Sequence, residues 1–197
     1  LITTRYYGAD ALGIVSICLA ILSFSSVFGK LGLDVALMKY IAGFAISRNF
    51  SGIKGVYLEA IKIIFPATIL ISSLLYFFAP WMASMLFHKA YLTGLLRINA
   101  WLALPLVLLL VNSECIRGLK RIRTYTFLQT VSVSLFASIL LVIASFTARG
   151  KEVPADIQFI CIAISGILST VLWLSFSKFG EHKASGDISL TELLRTS

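Results

Sequence analysis

Lys30 and Asp34 stand four residues apart where a long uncharged run, Ala11 to Gly29, gives out. Side chains at that spacing share a helical face if helix continues through Leu31 to Leu33, so an ammonium and a carboxylate are within reach of each other. Two readings are open for the pair. In one, the lysine snorkels to an interface and the aspartate sits at a helix end. In the other, the pair lines a water-filled cavity, because ionisable residues at membrane depth mark substrate or ion paths. Glu59 and Lys62, three apart, read as a solvated helix start worth little energy. His88 beside Lys89 reads as surface rather than as a pH switch. Cys18, Cys115 and Cys161 are too few and too scattered for a disulfide framework or a metal site. Cys18 and Cys161 fall in apolar runs and read as small packing residues. There is no GxSxG, no HExxH, no phosphate loop and no pair of aspartates beside a basic loop. Catalysis therefore finds little support, and neither a metal nor a cofactor is implied.

The elements that carry these residues follow from composition. Of 197 residues, 58% are apolar and 13% charged, with mean hydropathy +0.93. A soluble domain is nearer half apolar and a quarter charged, and a disordered chain is poorer still in apolar residues, so both classes are excluded. Five runs approach the roughly 20 apolar residues that a membrane crossing needs. They are Ala11 to Gly29, Ile63 to Phe78 with an apolar extension to Phe87, Ile98 to Ser113, Tyr125 to Ala148, and Ile157 to Ser177. None alternates in polarity as barrel strands do, so the expected fold class is an all-α integral membrane protein.

Apolar character continues past Lys30 to Phe44. A helix from Ala11 to Ile46 would be about 54 Å long, more than a bilayer requires. It must tilt strongly, break near Gly29 and Gly32, or lie partly along the interface. Pro66 and Pro105 should bend their helices. Trp81, Tyr76, Trp101 and Trp173 read as interface anchors or packing residues. The net charge of +8 is explained by placement. Twelve basic residues fall around the segments that follow the first, third and fifth runs, against five on the alternate side. The richer side is expected to be cytoplasmic, and nucleic acid is not needed to account for the charge. The chain begins at Leu1 without a secretory signal pattern and stops at Ser197 just after a helix-like stretch. An internal piece of a longer chain is the expectation.

The run TRYYGADALGIVSICLAILSFSSVFGKLGLDVALMKYIA resembles the N-terminal signature of the oligosaccharide and polysaccharide flippases. Those proteins share a superfamily with the MATE-type multidrug exporters and the lipid II flippases. FAPWMASMLF, CIRGLKR and TELLRTS follow in the order of the same pattern, so the resemblance runs from about Arg5 to the end. It implies a partial six-helix N-terminal lobe of a two-lobe MATE-like transporter. Residues 1–10 would be the end of family helix one and an outer loop, and 11–46 helix two with a broken extension. Helices three to six would be 56–80, 95–113, 124–148 and 157–177, with 178–197 a cytoplasmic linker toward helix seven.

The resemblance further implies a flippase of the bacterial inner membrane. Its substrate would be a polyprenyl-diphosphate-linked oligosaccharide for O-antigen, capsule or exopolysaccharide synthesis, moved by alternating access. Its partners would be that lipid-linked substrate, membrane lipids, and polysaccharide polymerase and assembly proteins. In the lipid II branch an arginine after helix one precedes a glycine, as Arg5 and Gly8 do here, and a basic residue stands four before an acid, as Lys30 and Asp34 do. Lys30, Asp34 and Arg5 are thereby implied as cavity residues that meet the diphosphate. Lysine in place of the favoured arginine, and the shorter basic cluster near helix one, point to the polysaccharide branch. Two alternatives stand beside this one: a cation-coupled multidrug exporter of the same fold, and a non-transporting membrane scaffold subunit.

Overall fold

A computed structural model describes the backbone of residues 2–88, 91–147 and 153–195, and side chains of 7–144 and 153–177 except 86, 89 and 90. Among these residues there are helices and no strands. The helices are α1 (Ile2–Lys30), α2 (Leu33–Ile46), α3 (Phe50–Trp81), α4 (Leu92–Gly118), α5 (Ile122–Thr126), α6 (Val133–Thr147) and α7 (Val153–Arg195). A π-helical stretch, Met82–Leu86, prolongs α3, and another, Phe127–Ser132, joins α5 to α6. Among the described residues, five segments are long and apolar enough to cross a membrane: Tyr7–Lys30, Phe50–Met85, Leu92–Gly118, Ile122–Ala144 and Val153–Ser177. The chain is an all-helical, multi-pass membrane protein.

Helix ends explain where these spans depart from the apolar runs. Asn49 caps α3, its Oδ1 accepting from Gly52 N at 2.9 Å, so α3 starts six residues before 56 and Glu59 and Lys62 lie well inside it. Their 2.6 Å pair is not at a helix start, although it is solvated, with side chains 71% and 68% exposed. Helix α4 runs on through Pro105 to Gly118, taking in the Glu114–Gly118 stretch expected to lie in a connection. The backbone of α7 continues in helix across 178–195, where a linker was expected.

α4 is the central helix, packing on α1, α2, α3 and α7. Residues of its C-terminal half, Val107, Leu109, Val111, Cys115 and Ile116, share one buried cluster with Leu37, Ile41, Ile53, Ile64, Leu128 and Trp173. Leu95, Leu102 and Ala103 share a second cluster with Ile14, Cys18, Leu22 and Phe159. Trp173 is thus a packing residue, its ring 5.0 Å from that of Tyr57, whereas Trp81 and Trp101 face outward. Cys18 and Cys161 are free and buried in apolar clusters.

Candidate functional site

The apolar rod that begins with α1 does not continue as one helix past Lys30. Leu31 (φ 51°) and Gly32 (φ 73°) both take the left-handed conformation, and α2 begins at Leu33. Of the three possibilities left open by length, the helix breaks, and it does so at Leu31–Gly32. Glycine adopts such a φ without steric cost, whereas Leu31 pays a penalty of about 1–2 kcal/mol.

Past the break the rod keeps to the same neighbour. Cys18 O accepts from Asn99 Nδ2 at 2.9 Å, and a Cβ added at Gly118 would lie 2.9 Å from Met38 O. α1 therefore runs beside the first part of α4 and α2 beside its last part. They are successive pieces, 29 and 14 residues long, of one rod broken at Leu31–Gly32.

Neighbouring helices give the level of the break. A Cβ at Gly29 would lie 3.1 Å from both Thr68 Oγ1 and Val107 Cγ2, and one at Gly166 would lie 2.7 Å from Pro105 O. Thr68 is at the midpoint of the span Phe50–Met85, Pro105 at that of Leu92–Gly118, and Gly166 one residue past that of Val153–Ser177. Lys30 thus follows a residue packed at the mid-level of the bundle.

There Lys30 Nζ donates to Asp34 Oδ2 at 2.7 Å. The pair is made across the break, not along the shared face that an uninterrupted helix through Leu31 to Leu33 would have given it. Lys30 is the last residue of α1 and Asp34 lies in the first turn of α2. Each charge complements the helix end it stands on, a contribution of roughly 0.3–1 kcal/mol apiece. The Lys30 side chain is 20% exposed and that of Asp34 11%, against the solvated Glu59–Lys62 pair. A lone charge so enclosed would be costly, and the partner offsets that cost.

Three donors sit on an ammonium, and Asp34 engages one. The exposed part of Lys30 ends a stripe along α1 in which Ser16 and Ser23 precede it at seven-residue intervals. Gly13 precedes Ser16 on this stripe, and Ala20 and Val27 lie between its members, all three exposed. Such a seven-residue repeat keeps nearly one face of a helix. Arg5 stands before the non-helical Gly8 (φ 85°), at the opposite end of α1, and its side chain lies outside the described residues.

A second polar constellation was not singled out from the sequence. Tyr57 Oη donates to Asn112 Oδ1 at 2.8 Å, and Asn112 Nδ2 donates to Thr170 Oγ1 at 3.1 Å and Ser169 Oγ at 3.4 Å. This ties α3, α4 and α7 together in the half of the bundle that holds α2. The signal available was an asparagine inside an apolar run, since a buried amide must find partners. Glu114, read as part of a connection, is 8% exposed, and its Oε2 accepts from Arg117 Nη1 at 3.3 Å.

No family model matches the chain, nor does any curated protein or solved structure.

Proposed function

We propose that this chain is the N-terminal lobe of a flippase that carries a polyprenyl-diphosphate-linked oligosaccharide across the bacterial inner membrane by alternating access. The observation that carries the reading is the Lys30–Asp34 pair at the mid-level of a helix broken in two. Broken helices with charged groups near the midplane are how transporters build substrate sites. An ammonium there lowers the cost of bringing a diphosphate into a low-dielectric interior. Asp34 holds that ammonium while no substrate is present, and the diphosphate competes for it. Occupancy is thereby linked to the state of the break, because substrate binds better when Lys30 is released. Lys30 and Asp34 are the cavity residues in this reading, and Arg5 is a third at the outer end.

The test is complementation of a flippase deletion by the full-length protein. Lys30→Ala abolishes it, and Lys30→Arg retains part, since charge is kept while geometry changes. A variant that strands Asp34 alone also loses stability. The decisive variant is therefore the double Lys30→Gln/Asp34→Asn, which keeps volume and leaves no lone charge. Normal membrane abundance without complementation is expected. Normal abundance with full complementation would leave the pair a structural anchor and sink the flippase assignment built on it.

A further inference from the structure

The α4–α5 turn, away from the Lys30 site, gathers four cations. Arg117, Lys120, Arg121 and Arg123 lie within seven residues, and the carboxylate nearest to them in the sequence is Glu114, three residues before. Backbone geometry fixes the turn. Arg121 N donates to Ile116 O at 3.3 Å and Lys120 N to Arg117 O at 2.8 Å, the two bonds that close a helix through a left-handed residue. That residue is Lys120 (φ 60°), where glycine is usual. Gly118 is committed elsewhere, to the close approach of α2.

Two of the three arginines lie over rings. The Arg117 guanidinium lies 5.1 Å from the centre of Tyr125 and pairs with Glu114. The Arg121 guanidinium lies 4.1 Å from the centre of Phe176, on α7. A guanidinium held over a ring face still has N–H groups to give to a bidentate phosphate contact. Among the described residues, no carboxylate forms an ion pair with Lys120, Arg121 or Arg123. The turn joins two spans, so it sits at a membrane surface, and exposed Ile122 and Phe127 continue from it into the apolar layer.

We propose that this turn is a binding site for the headgroup phosphate of an acidic phospholipid, with its acyl chains along Ile122 and Phe127. The ligand follows from the arrangement: cations aligned at the surface, apolar residues immediately beneath them, and guanidinium edges left for a phosphate. Lipid electrostatics at such a surface are worth about a factor of five per basic residue.

Native mass spectrometry of the full-length, delipidated protein tests the site, with phosphatidylglycerol and phosphatidylcholine as probes. Phosphatidylglycerol should be retained about tenfold more strongly. Lys120→Gly/Arg123→Gln removes two charges while improving the turn, and it should bring the preference down to near unity. Arg121→Lys, which keeps charge but loses the planar guanidinium fork, should weaken it severalfold. The control Lys39→Gln/Lys62→Gln removes two cations elsewhere and should leave the preference intact. Equal retention of both lipids would overturn the proposal. So would an equal loss in the control, which would mean only a diffuse field. Competition by millimolar inorganic phosphate, with no dependence on the lipid, would reassign the site to a free anion and overturn the lipid.

Discussion

A lysine and an aspartate four apart are ordinary on a surface helix, and what distinguishes Lys30 and Asp34 is enclosure. Their side chains keep 20% and 11% of their surface, and a 2.7 Å contact joins them. Removing one partner of a well-buried pair strands the other, at a cost of about 3–5 kcal/mol. Lys30 is not fully buried, so we expect roughly 1–3 kcal/mol for Lys30→Met, with water reaching the remaining charge. Lys30→Met/Asp34→Leu should cost less than the sum of the two single changes, with a coupling of about 1–2 kcal/mol. Unfolding in detergent micelles reads all three variants. Additivity within about 0.5 kcal/mol would mean that the contact contributes nothing to the fold. That the two residues pair was legible from spacing alone. Their depth was not, because an uncharged run that stops at Lys30 looks the same whether it ends at an interface or meets a break.

The discontinuous helix shows how an element is read correctly in kind and incorrectly in extent. Apolar residues on both sides of Lys30 announced excess length, and Gly32 announced a place to spend it. Leu31 in the left-handed region carried no such sign, nor did the start of α3 at Phe50, where an asparagine cap outweighs the weaker apolar character of the first turns. The π-helical stretches at Met82–Leu86 and Phe127–Ser132 leave no mark in hydropathy, since they alter phase without altering composition. Tertiary closeness was equally hidden: nothing local says that Gly166 faces the Pro105 carbonyl. Two pairs of substitutions test these elements. Leu31→Gly should stabilise the protein by up to about 1 kcal/mol, and Gly32→Ala should destabilise it by a similar amount. Gly166→Leu, with a Cβ only 2.7 Å from Pro105 O, should cost most of the folded yield, whereas Gly43→Leu, with open space around its Cβ, should be tolerated. Thermal unfolding and size-exclusion profiles distinguish them, and equal behaviour of Gly166→Leu and Gly43→Leu would refute the α4–α7 contact.

At the scale of the molecule the prediction is topological, because both proposals need a known side for each turn. The Ser47–Asn49 and Leu119–Arg121 turns stand at one end of the bundle with Phe176, against which Arg121 packs. His88 and the start of α7 at Val153 stand at the other. Helices long enough to cross, joined by turns of a few residues, cannot put Arg48 and Arg121 on opposite sides of a bilayer. The basic excess lies at their end, and the positive-inside rule therefore predicts that end to be the cytoplasmic one. The three native cysteines are buried, so they give little background to a membrane-impermeant thiol reagent, and a cysteine-free version removes what remains. On that background Arg48→Cys and Arg121→Cys should be blocked only from inside, and His88→Cys and Lys151→Cys only from outside, the last probing a position beyond the described residues. Arg121→Cys and Lys151→Cys lie at the two ends of a single span, so labelling of both from one side would mean that Ile122–Ala144 does not cross. The five-span arrangement would then fail. Lys30 would lose its place at the mid-level of a crossing bundle, and the acidic-lipid site would lose the surface on which it depends.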